Sequence, residues 1–143
     1  MDEEIIIKRL DYMREKLKDL DQDLNNYESF SSKKNLLKTI RGAIERWCEE
    51  IVESAVTINN ELLSSINKVP DSYYKSFIEL ESLNIFNEKD LEKLASTAGY
   101  RNRLAHDYMN IDPEISINSA KNILNIYKKY IKEIYSYLEN KKD

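Results

Sequence analysis

Arg101, His106 and Tyr108 fall within the stretch Gly99-Tyr100-Arg101-Asn102-Arg103-Leu104-Ala105-His106-Asp107-Tyr108, and His106 is the only histidine in the 143-residue chain. Histidine is the one side chain whose ordinary pKa lies near neutrality, so it can take or give a proton there. Arginine is permanently charged and offers a fork of donors that fits phosphate oxygens. An Arg-x4-His-x-Tyr spacing therefore provides a proton shuttle, a phosphate clamp and a phenol within about two helical turns. The same spacing also suits a helix end whose lone histidine only satisfies a hydrogen bond, because charged groups cluster for structural reasons as well.

The elements that must position these residues are helical. Hydrophobic residues make up 41% of the chain and charged ones 34%, a balance that suits amphipathic helices with solvated outer faces. Only two glycines and two prolines occur, so tight turns are few and a many-stranded sheet is disfavoured. The net charge of −4 argues against a general nucleic-acid coat, so any polyanion must meet a local basic patch. Lys33, Lys34, Lys38, Arg41 and Arg46 form one candidate run, and Arg101 with Arg103 another. The ordinary reading of such a run is a solvated helix face.

The single Cys48, beside Trp47 in an apolar stretch, excludes an intrachain disulfide and reads as a small core residue. No metal-ligand set is apparent, so no metal or other cofactor is expected. Met-Asp-Glu-Glu before three isoleucines is unlike a signal peptide, and no stretch approaches a membrane span, so a cytoplasmic protein is expected.

Apolar positions recur at alternating steps of three and four. Ile6, Leu10, Met13, Leu17, Leu20, Leu24 and Tyr27 predict a helix over about residues 3–28. Ser29, Ser31 and Ser32 then supply a loop and an N-cap. A second helix over about 33–67 has a broad apolar face, from Leu37 through Ile44, Trp47 and Ile51 to Ile58, which suggests a central position. Its Gly42 suggests a close helix crossing, and Pro70 ends the run. A short helix over 72–83 should bury Phe77, Leu80 and one of Tyr73 or Tyr74. Asn87 reads as the N-cap of a fourth helix running to about 108, with Phe86 and Leu91 placed as a hydrophobic staple. Asp112-Pro113 opens a last helix over 113–139, and most of the ten tyrosines read as amphipathic rim residues. No repeat or linker divides the chain. The expectation is one all-α domain over 1–143, an up-and-down bundle of four long helices plus a short one.

On a wheel, Leu91, Ala95, Ala98, Asn102, Ala105 and Met109 share a stripe with His106 at one edge. Arg101 and Tyr108 lie on the other edge, so Arg101 and His106 are about 140° apart. One helix cannot aim both at one atom, whereas two facing copies could. The small residues Ala95, Ala98, Asn102 and Ala105 therefore suggest a homodimer interface along this helix.

Arg101-Asn102-Arg103-Leu104-Ala105-His106-Asp107-Tyr108 and its tail Met109-Asn110-Ile111-Asp112 resemble the HepT-like ribonuclease toxins of the HEPN superfamily. The family signature is Arg-x4-His-x-Tyr. Val69-Pro70-Asp71-Ser72-Tyr73, Phe77-x-x-Leu80 and the helix with Arg41, Glu45 and Arg46 are similar to the family too; Ala105 stands where a larger aliphatic residue is common. The resemblance implies a homodimeric, metal-independent endoribonuclease toxin with a HEPN-like bundle. Its implied partner is a minimal nucleotidyltransferase antitoxin that transfers AMP to the motif tyrosine, here Tyr108. His106 would be the base toward an RNA 2′-hydroxyl, Arg101 the charge on the phosphorane and Asn102 an orienting group. Arg103, Arg41 and Lys38 would bind RNA phosphates. Two other readings stay open: a non-catalytic nucleotide-binding accessory subunit of a small nucleotidyltransferase, and a bundle whose Arg-x4-His only stitches an interface.

Overall fold

The computed structural model of the chain describes residues 1–30 and 33–141. Among them lie five α-helices: α1 (Glu3–Ser29), α2 (Lys34–Ser64), α3 (Tyr73–Ile78), α4 (Glu88–His106) and α5 (Pro113–Lys141). A 3-10 turn at Glu79–Leu83 continues α3, and another at Tyr108–Asn110 joins α4 to α5. The fold is all-α, as the periodicity indicates.

Local chemistry sets most boundaries. Asp2 caps α1 by accepting from the Ile5 amide, Ser72 caps α3 through Lys75, and Asn87 caps α4 through Asp90. The Asp112 side chain accepts from the Glu114 amide at 2.8 Å, ahead of Pro113 at the first position of α5. Two ends differ from expectation. The expected cap residues Ser31 and Ser32 lie outside the described residues, and α2 begins after Lys33 with no side-chain cap bond. At its other end α2 stops six residues before Pro70. Asn67 takes a left-handed conformation (φ 58°) and the Lys68 amide turns back to the Leu63 carbonyl at 3.0 Å, so the stop is a left-handed turn and not the proline.

Cross-helix bonds fix the directions. Asp23–Trp47 and Asp2–Glu61 make α1 and α2 antiparallel, and Asp11–Tyr135 with Glu28–Lys121 do the same for α1 and α5. Tyr108 with Glu45 and Arg101 with Glu53 make α4 antiparallel to α2. Glu45–Ser116 and Asn59–Tyr130 share one offset, so α2 and α5 run parallel. Both touch α1 on one side and α4 on the other and meet across the middle, whereas α1 and α4 make no contact. The α1 stripe from Ile6 to Leu24 is buried as a unit, and α2 buries residues on several sides, as its broad face requires.

Several side chains sit otherwise than their spacing suggests. Tyr127 and Tyr130 are fully buried and Tyr100 nearly so; they are core residues, not rim. Each phenol finds a partner: Tyr130 donates to Asn59 Oδ1 (2.6 Å), Tyr100 to Ser116 Oγ (3.1 Å), and Tyr127 shares a bond with Thr97 Oγ1 (2.8 Å). Phe86, expected to staple onto Leu91, stacks on Tyr130 with ring centroids 5.5 Å apart. Gly42 is exposed and a Cβ there would meet nothing within 4 Å, so no close crossing inside the chain explains it. Ala95 and Ala98 are buried in the chain's own core, which removes them from any surface stripe. What α4 leaves exposed at its C-terminal end is Gly99, Asn102, Ala105 and His106.

Candidate active site

The N-terminal ends of α2 and α5 and the C-terminal end of α4 come together at one end of the bundle, because α4 runs against both. The motif therefore lies against the first half of α2. Along one line of α2 stand glutamates at positions 45, 49 and 53, one per turn, among the buried apolar residues Ile44, Cys48, Ile51 and Val52.

Glu45 is 5% exposed. A carboxylate so buried needs donors, and two arrive from distant parts of the chain. Tyr108 OH donates to Oε1 at 2.6 Å and Ser116 Oγ to Oε2 at 2.5 Å, with Tyr100 donating to Ser116 behind it. Tyr108 as a residue is 47% exposed, while its hydroxyl is engaged by the buried Glu45. Its pKa is raised, first by the hydrogen bond to Glu45, then by burial and the Glu45 charge, with Arg41 opposing. At neutral pH it is a neutral donor.

Arg101 is held two turns further along α2. Its Nη2 lies 2.7 Å from Glu53 Oε1 and its guanidinium lies 4.8 Å from the centre of the Tyr73 ring, so α3 forms the other wall. Its side chain is 18% exposed and its buried Nε has no partner. Burial works against the charge, but the Glu53 bond, the Tyr73 phenol and the charges of Glu53 and Glu49 raise the Arg101 pKa above its ordinary value. Burial also pushes the Glu49 carboxyl up; Arg101 opposes this, and the neighbouring Glu53, Glu45 and Glu50 reinforce it.

His106 is the last residue of α4 and is exposed; among the described residues no hydrogen bond or ion pair engages its side chain. Asn102 is exposed one turn before it. Arg103 reaches the Asn110 carbonyl at 3.4 Å, and Lys38 is exposed on the first turns of α2. The structure thus brings Tyr108 and Arg41 together but leaves Arg101 and His106 unjoined within one chain. Arg101 and Tyr108, which share an edge of the ideal wheel, are separated because α4 ends before Tyr108. Their anchors Glu53 and Glu45 stand eight residues apart on α2, about 12 Å at 1.5 Å per residue. The arginine that acts on the phenol is Arg41, one turn before Glu45 on α2, and not Arg101. Glu45, Glu53, Tyr73 and Ser116 are parts of the site that spacing around the motif does not reveal; the segments holding Glu45 and Tyr73 entered through the family resemblance, and for Glu53 the four-residue recurrence of glutamates on α2 was the available signal.

A parallel α2/α5 pair flanked by antiparallel α1 and α4, with an Arg-x4-His-x-Tyr segment closing α4, defines a HEPN-type helical bundle. The family model for Ribonuclease HepT-like proteins matches residues 6–134, and the chain belongs to that family. The tRNA nuclease HepT of Aphanizomenon flos-aquae is 35% identical over 96 residues, which take in 66% of this chain and 65% of that relative's length. Solved structures share the fold. The tri-AMPylated HEPN toxin of Shewanella oneidensis, solved in complex with its MNT antitoxin, has a TM-score of 0.82 at 20% identity, covering 95% of this chain and 99% of that one. The cytosolic protein YutE of Bacillus subtilis has a TM-score of 0.70 at 20% identity, covering 92% and 91%. No helix among the described residues is long and apolar enough to cross a membrane.

Proposed function

We propose that residues 1–143 act as one HEPN-like domain that cleaves RNA in the cytoplasm, as the toxin of a toxin–antitoxin pair. The observation that carries this reading is the Arg101-x4-His106-x-Tyr108 segment at the open end of α4, in a chain of the HepT-like ribonuclease family. His106 is exposed and free to approach an RNA 2′-hydroxyl as base, and Asn102 stands one turn away to orient it. Arg101 supplies the charge for the phosphorane once a phosphate takes the place of Glu53. The 2′-hydroxyl is the nucleophile, so the step asks for no protein nucleophile and no metal. Arg103, Arg41 and Lys38 steer the backbone.

Because Arg101 faces α2 and α3 while His106 faces outward, the site is completed by a second copy across Gly99, Asn102, Ala105 and His106. The named partner of the Shewanella relative supports a nucleotidyltransferase antitoxin that adenylylates Tyr108. The tRNA nuclease named among the relatives makes tRNA the first substrate to assay.

The test is cleavage of tRNA by the purified chain beside His106→Ala, with the oligomeric state read by light scattering. Removing a general base costs about 10²–10⁴-fold in rate. Since the exposed His106 side chain makes no bond among the described residues, the variant's stability should stay within about 0.5 kcal/mol of the parent's. Equal cleavage by the two proteins would refute the site, and an active monomer would refute the composite arrangement.

A further inference from the structure

Tyr108 heads a chain of hydrogen bonds drawn from three helices. From α2, the buried Glu45 accepts its proton at 2.6 Å, and Arg41 acts on the same phenol from the preceding turn. From α5, Ser116 fixes the second carboxylate oxygen at 2.5 Å. From α4, Tyr100 fixes Ser116 at 3.1 Å. This is more apparatus than a tyrosine packing at a helix end requires. A neutral phenol is a poor nucleophile and attacks phosphorus only if its proton leaves as the new bond forms. Of the nearby carboxylates, Asp107 is bound by Asn110 Nδ2 at 2.6 Å and Glu53 by Arg101 at 2.7 Å. Among the described residues it is Glu45 that accepts the Tyr108 hydrogen bond, at 2.6 Å, while Tyr108 as a whole is about half exposed.

We propose that Glu45 is the general base for adenylylation of Tyr108 and that Arg41 is the cation that receives the new phosphodiester. The proposal rests on the reading of Tyr108 as an adenylyl acceptor. Tyr108 Oη attacks the α-phosphorus of an adenosine triphosphate presented by the partner transferase. The Oη–phosphorus bond forms, the bond from the α-phosphorus to the bridging oxygen breaks, and pyrophosphate leaves with that electron pair. The phenol proton passes to Glu45 Oε1. The product oxygen can no longer donate, so the bond that holds Tyr108 to α2 is lost with the reaction. The 3-10 turn at Tyr108–Asn110 is then released from α2, and Arg41 pairs with the attached phosphate through a charge-assisted bond instead of with RNA. Acceptance of AMP and loss of an RNA-binding cation are thereby one event.

The experiment incubates the full chain with its partner transferase and ATP, and follows the AMP-sized mass gain on Tyr108 as a function of pH. Glu45→Gln keeps the shape and an oxygen that can accept from Tyr108 but cannot hold the proton. Its kcat for modification should fall about 10²–10⁴-fold with little change in KM. Its rate should rise with pH toward phenol ionisation, because hydroxide must then remove the proton. Ser116→Ala loosens the carboxylate but leaves it ionisable; it should slow modification mildly and keep the parental pH profile, a control for altered packing. Arg41→Gln should lower kcat, and modification should reduce its RNA binding by a smaller factor than it reduces the parent's, because the cation that modification occupies is already gone. As a readout independent of the transferase, the carbon resonance of the Tyr108 phenol should titrate at lower pH in Glu45→Gln than in the parent. Parental kcat and pH profile in Glu45→Gln would overturn the proposal. If the unaltered chain is never modified, the acceptor reading fails and the base role with it, whereas an unchanged phenol titration in Glu45→Gln overturns the Glu45–Tyr108 bond itself.

Discussion

Replacing Arg101 and Glu53 one at a time should move RNA binding in opposite directions. In the free chain the arginine is masked: Glu53 holds it at 2.7 Å and the Tyr73 ring covers it at 4.8 Å. A phosphate must displace Glu53, whose side chain is 44% exposed, so solvent screening keeps the pair at about 0.5–1 kcal/mol despite its short distance. The cation–π contact adds about 0.5–1 kcal/mol. Arg101→Ala should therefore cost about 1–2 kcal/mol in stability, a fall of about 2–8 °C in melting temperature for a chain of this size, and should abolish cleavage while the fold persists. Glu53→Gln should cost under about 1 kcal/mol, since the amide still accepts from Arg101. By removing the competing charge it should tighten binding of a cleavage-resistant RNA about two- to fivefold, the equivalent of that pair energy. Calorimetric melting and RNA titration on both variants check the pair. If both weaken RNA binding to the same degree, Arg101 serves to stitch α4 to α2 and α3, and its role as the phosphate clamp is refuted.

Glu49 gives a pH-dependent test. Its raised pKa means the folded state binds its proton more readily than the unfolded state, so stability falls as pH rises from about 4.5 through the folded value. Glu49→Gln should raise the melting temperature at pH 7, and the gain should vanish near pH 4; a gain independent of pH would contradict the shift. Gly42→Ala and Gly99→Ala each place a methyl in open space on a helix and should stabilise the isolated chain by about 0.5–1 kcal/mol in denaturant titrations. Only Gly99→Ala should weaken self-association, measured by dilution in light scattering, because only that glycine borders Asn102 and His106 on α4. Cleavage by the proposed mechanism uses no metal, so RNase activity should survive EDTA, and chelator-sensitive cleavage would point to another mechanism.

How much of this was legible follows from the range of the interactions. Helix formation and capping are decided within a few residues. The steps of three and four from Ile6 to Leu24, the caps at Ser72 and Asn87 and the Asp112-Pro113 start therefore appear in the sequence almost as they do in the structure. The Arg-x4-His-x-Tyr spacing is local too, and it located the candidate site. What no local pattern holds is the register of one helix against another. A stripe of small residues on α4 reads the same whether it meets a second copy or the chain's own core, and packing decided the core for Ala95 and Ala98. Arg101 finds its counter-ion 48 positions away, and Tyr108 finds Glu45 at 63. Those pairings exist because α4 runs antiparallel to α2 and stops at His106, which swings Tyr108 off the helical wheel and onto the buried carboxylate. Residue types and local spacing thus name the groups that could do the chemistry, whereas helix packing selects the carboxylates that hold them, because burying Glu45 obliges the fold to bring it donors from distant turns.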